Sequence, residues 1–153
     1  EQLLIKSKAR GYLIATAESC TGGLISATLA AVPGASSSLE RGFVTYSNEA
    51  KTELLGVPAE LIREHGAVSH EVALAMVCGA LAHSPAHVVV AVTGVAGPGG
   101  GTAEKPVGLV HIAAASRDGP VLHEEKRFGE IGRHQIQYET VSVALDLLAR
   151  VLD

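Results

Sequence analysis

The chain has 153 residues, with 12 Lys and Arg against 16 Asp and Glu, and a formal net charge of −4. This mild acidity argues against a dedicated duplex-DNA binder, because such domains carry a clear basic excess. Two cysteines exclude a disulfide-stapled scaffold, and 47% hydrophobic residues argue against disorder. The longest apolar stretch, residues 72–82, is about half of the roughly 20 residues that a membrane span needs. We therefore expect one cytoplasmic globular domain over residues 1–153.

The apolar pattern alternates between helical and strand periods along the chain, which is typical of an α/β domain. Gly11 ends the first predicted helix, and Pro33-Gly34 closes the second. The first half predicts a helix, a strand, a helix, a strand and three helices at residues 3–10, 12–17, 24–31, 39–46, 48–55, 58–65 and 69–82.

The second half predicts three strands and a final helix. Residues 87–93 (HVVVAVT) are apolar on both faces, as expected for a central strand. Residues 107–115 and 121–128 flank Asp118-Gly119, which predicts an antiparallel hairpin. The last helix spans residues 131–152. A mixed sheet of about five strands, covered by helices on both faces, is the packing that this order favours.

Three segments that follow predicted strands are too polar or too rich in glycine for simple connections. They are residues 18–23 (ESCTGG), 46–51 (YSNEAK) and 93–102 (TGVAGPGGGT). In open α/β sheets, ligands bind in the crevice beyond the carboxyl ends of the strands. Three such segments at three strand ends therefore predict one shared site.

The third segment carries five glycines, at positions 94, 97, 99, 100 and 101. Glycine lets the backbone turn tightly, and successive free N–H groups can form a nest for an anion. The segment matches neither a Walker loop, which ends in Gly-Lys-Ser/Thr, nor the G-x-G-x-x-G fingerprint. A flexible surface connection is the alternative interpretation. Because Thr93 ends a buried strand, contact with a ligand is favoured.

Ser19 lies between a predicted strand and a predicted helix. Its hydroxyl could be a nucleophile near helix N–H groups that stabilise an oxyanion, whereas capping of the helix by Ser19 or Thr21 is the simpler role. Cys20 is a rival nucleophile, since a thiol near a helix start has a lowered pKa, or else a small packing residue. Cys78, within an apolar helical run, is expected in the core.

Lys51 follows Tyr46 by five residues across a predicted strand-to-helix junction. A lysine beside a partly desolvated serine can act as its general base, although most lysines are solvated surface residues. Arg133 opens the last helix, where a cation is slightly unfavourable, so a surface role and an anion partner both fit. The seven histidines are scattered, and His111 is expected to be a solvated or hydrogen-bonded strand residue. No C-x-x-C or H-x-x-x-H motif supports a metal site.

Together these motifs resemble the CinA carboxy-terminal domain family over nearly the whole chain. The resemblance implies a three-layer α/β/α fold and hydrolysis of the carboxamide of nicotinamide mononucleotide (NMN). The products would be nicotinic acid mononucleotide and ammonia, with neither a metal nor a cofactor. The matching segments are AESCTGG (17–23), GFVTYSN (42–48) with Lys51, LGV (55–57), GAVS (66–69), TGVAGPGG (93–100) and KPVG (105–108).

By residue, the resemblance implies that Ser19 is the nucleophile, Lys51 its base and Tyr46 an assisting residue. The late arginine of the family corresponds to Arg133. In the family pattern Gly-Asp-Arg is followed four residues later by a second Arg, whereas this sequence has Ile131-Gly132-Arg133 and then Gln137. The other expected substrate contacts are Cys20, Thr21, Gly22, Gly23, Thr93, Gly94, Gly97, Gly99 and Gly100.

Two other functions fit the same residues. One is a catalytically silent nucleotide-binding module with a regulatory role in competence or DNA damage, and the other is an amidohydrolase that acts on a different amide. We also expect a homo-oligomer that binds a small nucleotide and neither a membrane nor nucleic acid directly. In longer proteins the family's domain often follows an amino-terminal pyrophosphatase-type domain, which we do not expect within these 153 residues.

Overall fold

Five strands and six helices alternate along the chain in the computed structural model, which describes residues 1–153. The strands are β1 (Ile14–Glu18), β2 (Leu39–Val44), β3 (Val88–Gly94), β4 (Leu109–Ser116) and β5 (Val121–Arg127). The helices are α1 (Gln2–Arg10), α2 (Leu24–Ala30), α3 (Asn48–Leu55), α4 (Ala59–His65), α5 (His70–Ala82) and α6 (Arg133–Leu152), with a short 3₁₀ turn at Ala35–Ser37. Every predicted element is present, with its ends within two residues of the prediction. The 3₁₀ turn was not predicted.

The sheet has the order β2-β1-β3-β4-β5. β1 pairs in parallel with β2 on one side and with β3 on the other. β4 is antiparallel to β3, and β5 is antiparallel to β4. The predicted mixed sheet and hairpin are therefore confirmed. Because β1, β2 and β3 run the same way, the loops that follow them emerge at one edge of the sheet.

Each face of the sheet has its own hydrophobic core, which gives three layers. Val88, Val90 and Val92 of β3 pack with α1, α2 and α6 on one face. The intervening Val89 and Ala91 pack with α3, α4 and α5 on the other. Side chains alternate between the faces of a strand, so an uninterrupted apolar run supplies both cores. This explains why residues 87–93 could be recognised as a central strand.

Helix α5 packs very closely against α3. A Cβ atom on Gly79 would lie 1.9 Å from the carbonyl oxygen of Leu55, so only glycine fits at this position. Ser69 caps α5 by accepting from the N–H of Val72 at 3.2 Å. None of the helices combines the length and the apolar character that crossing a membrane requires.

Three histidines come together on the α5 face of the β4–β5 hairpin, so the prediction that the histidines are scattered is wrong. His111 Nδ1 and His123 Nε2 are 2.9 Å apart, and the rings of His70 and His123 have centroids 4.2 Å apart. The sequence could not show this, because the antiparallel register and the start of α5 bring together residues that are distant in the chain. Burial, together with the neighbouring imidazoles, holds the pKa values of His111 and His123 below the ordinary histidine value.

The histidine cluster should make stability depend on pH. A lowered pKa in the folded state means that the unfolded chain binds protons first as the pH falls. The free energy of unfolding should therefore fall as the pH drops below about 6.5, toward the lower folded-state values. Thermal melts from about pH 8 to 5.5 should show a flatter pH dependence for His123→Gln than for the unsubstituted protein. The matched control is His134→Gln, at an exposed position in α6. Identical pH dependences for all three proteins would contradict the prediction.

Candidate active site

The three polar segments singled out in the sequence meet at one cavity beyond the carboxyl ends of β1, β2 and β3. The cavity has a volume of about 310 Å³, and we call it the Ser19 cavity. A groove of about 380 Å³ between α3 and α4 is larger, but it holds neither Ser19 nor Lys51. The Ser19 cavity is lined by Ser19, Cys20, Tyr46, Asn48, Lys51, Ala67, Val68, Thr93, Gly94, Val95, Ala96, Gly97, Gly99, Gly100 and Arg133.

Ser19 follows strand β1, and a turn that Glu18 organises holds it there. The buried Glu18 carboxylate accepts from the N–H groups of Ile25 and Ser26 at 2.8 and 3.0 Å, and thereby caps α2. It also accepts from the Thr21 hydroxyl at 2.7 Å. Neither Ser19 nor Thr21 caps the helix, so the simpler role considered for them is wrong. The Ser19 hydroxyl is free to face the cavity.

Lys51 reaches the Ser19 hydroxyl from the first turn of α3. Ser47 caps this helix by accepting from the N–H of Ala50 at 3.0 Å, and the cap fixes where the helix begins. Lys51 is only 1% exposed, and its Nζ lies 3.0 Å from Ser19 Oγ. The amine also donates to the carbonyl oxygen of Thr45 at 2.9 Å, with that of Tyr46 at 3.4 Å. The alternative of a solvated surface lysine is therefore wrong.

Burial lowers the pKa of Lys51 below the ordinary lysine value, because it penalises the charged ammonium. The contacts around the amine are compatible with its neutral form. A neutral amine has two N–H donors, which the Thr45 and Tyr46 carbonyls can accept. Its lone pair is then left to accept the hydroxyl proton of Ser19. This is the arrangement that a lysine general base requires.

Cys20 packs in the hydrophobic core, in an environment that disfavours its thiolate. Burial raises the pKa of its thiol to about 12, and this outweighs the opposing effects of the Cys20 backbone N–H and the nearby Lys51 amine. A thiol with this pKa is protonated at neutral pH and is a poor nucleophile. Cys78 is exposed, so the prediction that it lies in the core is wrong. Hydrophobicity alone did not show which side of α5 faces solvent, because this helix is apolar nearly all round.

The glycine loop that follows β3 offers unpaired backbone donors to the Ser19 cavity. The N–H groups of Ala96, Gly97, Gly99 and Gly100 donate to no oxygen of the protein. Gly97 has φ of +75°, and a Cβ there would lie 2.6 Å from Val107 Cγ1. Only glycine therefore allows this loop to turn so close to Val107. The Thr93 hydroxyl donates to Ala67 O at 2.8 Å, which ties the α4–α5 connection to the same cavity.

Two side chains from the start of α6 connect the loops around the cavity. The Arg133 guanidinium donates to Gly97 O and to the Tyr46 hydroxyl, both at 2.7 Å. Gln137 Nε2 donates to Cys20 O at 3.0 Å. Together these contacts join the segments that follow β1, β2 and β3. The Tyr46 hydroxyl thus contacts Arg133, whereas its hydrogen bonds include neither Ser19 nor Lys51.

The structure brings most of the predicted site residues together, with a few differences. Thr21, Gly22 and Gly23 form the β1–α2 turn but do not line the cavity. Five residues line it that were given no individual role in the sequence analysis: Asn48, Ala67, Val68, Val95 and Ala96. The available signal for Asn48 was its place in the polar second segment, three residues before Lys51. No group of three His, Cys, Asp or Glu side chains is arranged to hold a metal ion.

The different environments of the two cysteines predict different reactivities toward iodoacetamide. In the native protein at about pH 8, Cys78 should be alkylated and Cys20 should stay unmodified, because Cys78 is exposed to the reagent, whereas Cys20 is buried and its thiolate is disfavoured. Peptide mass spectrometry would measure both sites, and unfolding in urea should make both reactive. The Cys78→Ser variant isolates Cys20. Rapid alkylation of this variant in its native state would contradict the assignment of Cys20 as a packing residue.

Comparisons of sequence match the same chain to known proteins. The family model described as the CinA C-terminal domain matches residues 1–152. A CinA-like protein from Parasynechococcus marenigrum is 51% identical over 143 residues, which cover 93% of this chain and 34% of that protein. A CinA-like protein from Mycolicibacterium gilvum is 50% identical over 142 residues, which cover 93% and 33%. The chain therefore spans about a third of the length of these curated relatives.

Comparisons of structure agree with those of sequence. The crystal structure of the competence/damage inducible protein CihA from Agrobacterium tumefaciens superposes with a TM-score of 0.98 at 51% identity, covering 99% of this chain and 92% of that one. A CinA superfamily protein from Klebsiella pneumoniae superposes with a TM-score of 0.92 at 34% identity, covering 99% and 93%. With both sequence and fold matched from end to end, the chain belongs to the CinA C-terminal domain family.

Proposed function

We propose that this protein hydrolyses the carboxamide of NMN to nicotinic acid mononucleotide and ammonia, with Ser19 as nucleophile and Lys51 as general base. The observation that carries the proposal is the buried amine of Lys51, which lies 3.0 Å from the Ser19 hydroxyl in the lining of the Ser19 cavity. Few lysines are buried, because removing a charged ammonium from water costs free energy. A lysine amine that lies beside a serine hydroxyl and has a lowered pKa can act as the base that activates the serine.

The reaction would proceed through an acyl-enzyme. Ser19 Oγ attacks the carboxamide carbon and its proton passes to Lys51 Nζ. The C–N bond then breaks, Lys51 returns the proton to the leaving nitrogen, and ammonia departs. Water attacks the resulting ester while Lys51 accepts a proton from it. The bond to Ser19 Oγ breaks, Ser19 regains the proton, and the nicotinic acid product leaves.

The phosphate of NMN would lie between the glycine loop and Arg133. The unpaired N–H groups of Ala96, Gly97, Gly99 and Gly100 form a set of donors of the kind that binds anions. Arg133 lines the same cavity, and its guanidinium can pair with phosphate through two parallel hydrogen bonds. In this proposal Tyr46 assists by holding the guanidinium in place, because its hydroxyl contacts Arg133.

Ammonia release from NMN tests the chemistry. The unsubstituted protein should release ammonia with a kcat/KM that rises with pH, because the working form of Lys51 is the neutral amine. The midpoint of the rise should lie below the ordinary lysine value, since burial lowers the pKa of Lys51. Ser19→Ala and Lys51→Met should both be inactive. Ser19→Ala loses one hydrogen bond, so its stability should fall by only about 1 kcal/mol.

Lys8→Met is the matched control for the loss of a lysine, because Lys8 is exposed on α1. Thermal melts of all variants separate loss of activity from loss of fold. Near-native turnover by Ser19→Ala would refute the nucleophile assignment. Absence of ammonia release from the unsubstituted protein on NMN, together with binding of NMN, would favour the silent nucleotide-binding module instead.

A comparison of NMN with nicotinamide riboside, which lacks the phosphate, tests phosphate recognition. Charge-assisted hydrogen bonds are each worth roughly 1.5–3 kcal/mol, so Arg133→Ala should raise the KM for NMN about ten- to a hundredfold. Turnover of the riboside should change little, since it has no phosphate to lose. The control is Arg150→Ala, which removes an exposed cation at the other end of α6. Equal losses on both substrates would show that Arg133 supports the fold or the chemistry and not phosphate binding.

A further inference from the structure

The turn that carries Ser19 is held in an unusual way. Ser19 N–H donates to Val92 O of the neighbouring strand at 3.1 Å, and Ser19 O accepts from Gly22 N–H at 3.1 Å. The carbonyl of the next residue, Cys20, accepts from Gln137 Nε2 at 3.0 Å. The peptide groups on both sides of Cys20 are therefore fixed through their carbonyl oxygens, one by the turn itself and the other by a side chain 117 residues away.

The same geometry leaves the N–H of Cys20 without an oxygen acceptor. A trans peptide directs its C=O and its N–H to opposite sides, so the Cys20 N–H points away from Gly22. This N–H donates to no carbonyl or side-chain oxygen of the protein, although Cys20 is buried and lines the Ser19 cavity. More than nine in ten buried backbone N–H groups have a partner. An unpaired one beside the nucleophile is therefore available to a substrate.

We infer that Gln137 is a positioning residue for the oxyanion that forms when Ser19 attacks, an inference that rests on the proposed amidase function. In acyl-transfer enzymes with a serine nucleophile, the backbone N–H of the following residue commonly stabilises the oxyanion. Here that donor is the Cys20 N–H. Gln137 does not touch the substrate. It acts by holding the Cys20 carbonyl, which lies inside the Ser19–Gly22 turn, and so keeps in place the turn that directs the Cys20 N–H.

The contact needs a hydrogen-bond donor at position 137, where this chain has glutamine. A glutamine amide supplies a donor of the required kind without adding a positive charge near Lys51. The neighbouring Arg133, one helical turn earlier, is left as the cation that α6 contributes to the cavity. The two side chains thus have separate tasks, since Gln137 holds the nucleophile turn and Arg133 faces the anion.

Steady-state kinetics of Gln137→Met on NMN test the inference. Methionine has a similar length but no donor, so the oxyanion should be stabilised less while ground-state binding is retained. We expect kcat to fall about ten- to a hundredfold, with KM within about threefold of the unsubstituted value. The pH profile of kcat/KM should keep its midpoint, because Lys51 is untouched. Gln137→Arg restores a donor and should recover most of the lost kcat.

Gln135→Met is the matched control, because Gln135 lies two residues away on α6, is exposed and pairs only with Glu139. It should leave kcat and KM unchanged. An unchanged kcat in Gln137→Met would overturn the inference, as would equal damage in Gln137→Met and Gln137→Arg accompanied by lower melting temperatures. Ser19-dependent ammonia release by the unsubstituted protein is measured in the same experiment. Its absence would refute the proposed function itself, independently of the behaviour of Gln137.

Discussion

The contact between the Lys51 amine and the Ser19 hydroxyl constrains much of the surrounding structure. An amine can be held away from water only where acceptors replace its hydration, and here the carbonyls of Thr45 and Tyr46 do so. Those carbonyls lie at the end of β2, and Ser19 lies at the end of β1, which pairs in parallel with β2. The parallel pairing therefore sets the distance between the Ser19 hydroxyl and the Lys51 amine. The Ser47 cap then sets the helical turn from which Lys51 extends.

Helix α6 fixes the positions of the loops that follow the three parallel strands. Without such contacts, loops at the ends of three strands could move separately. A displacement of about 1 Å at a reacting group is enough to lower a reaction rate strongly. Arg133 and Gln137 lie four residues apart and so project from the same side of α6. Between them they contact the glycine loop, Tyr46 and the Ser19 turn. The apolar face of α6 is buried against the sheet, so these contacts are anchored to the hydrophobic core.

The sequence predicted those features that depend on local pattern. The buried run of β3, the hairpin and the three polar segments follow from the period of the apolar residues and from turn chemistry. The features that the sequence could not predict are contacts between residues that are far apart in the chain. The Lys51–Ser19 contact spans 32 residues, and the pair formed by His111 and His123 depends on strand register. The cap provided by Glu18 was missed because a carboxylate preceding a turn is expected in water, whereas here helix N–H groups replace the water.

The electrostatics of the site differ in sign from those of the whole chain. With a net charge of −4, the protein does not attract an anion from a distance. Around the cavity, however, the fixed groups are the Arg133 guanidinium and the unpaired N–H groups of the glycine loop. These groups act at hydrogen-bond range, where salt screens an interaction much less than it screens charges separated by a Debye length. An anionic substrate would therefore be selected by contacts made inside the cavity and not by steering toward it, so its affinity should depend on backbone geometry more than on ionic strength.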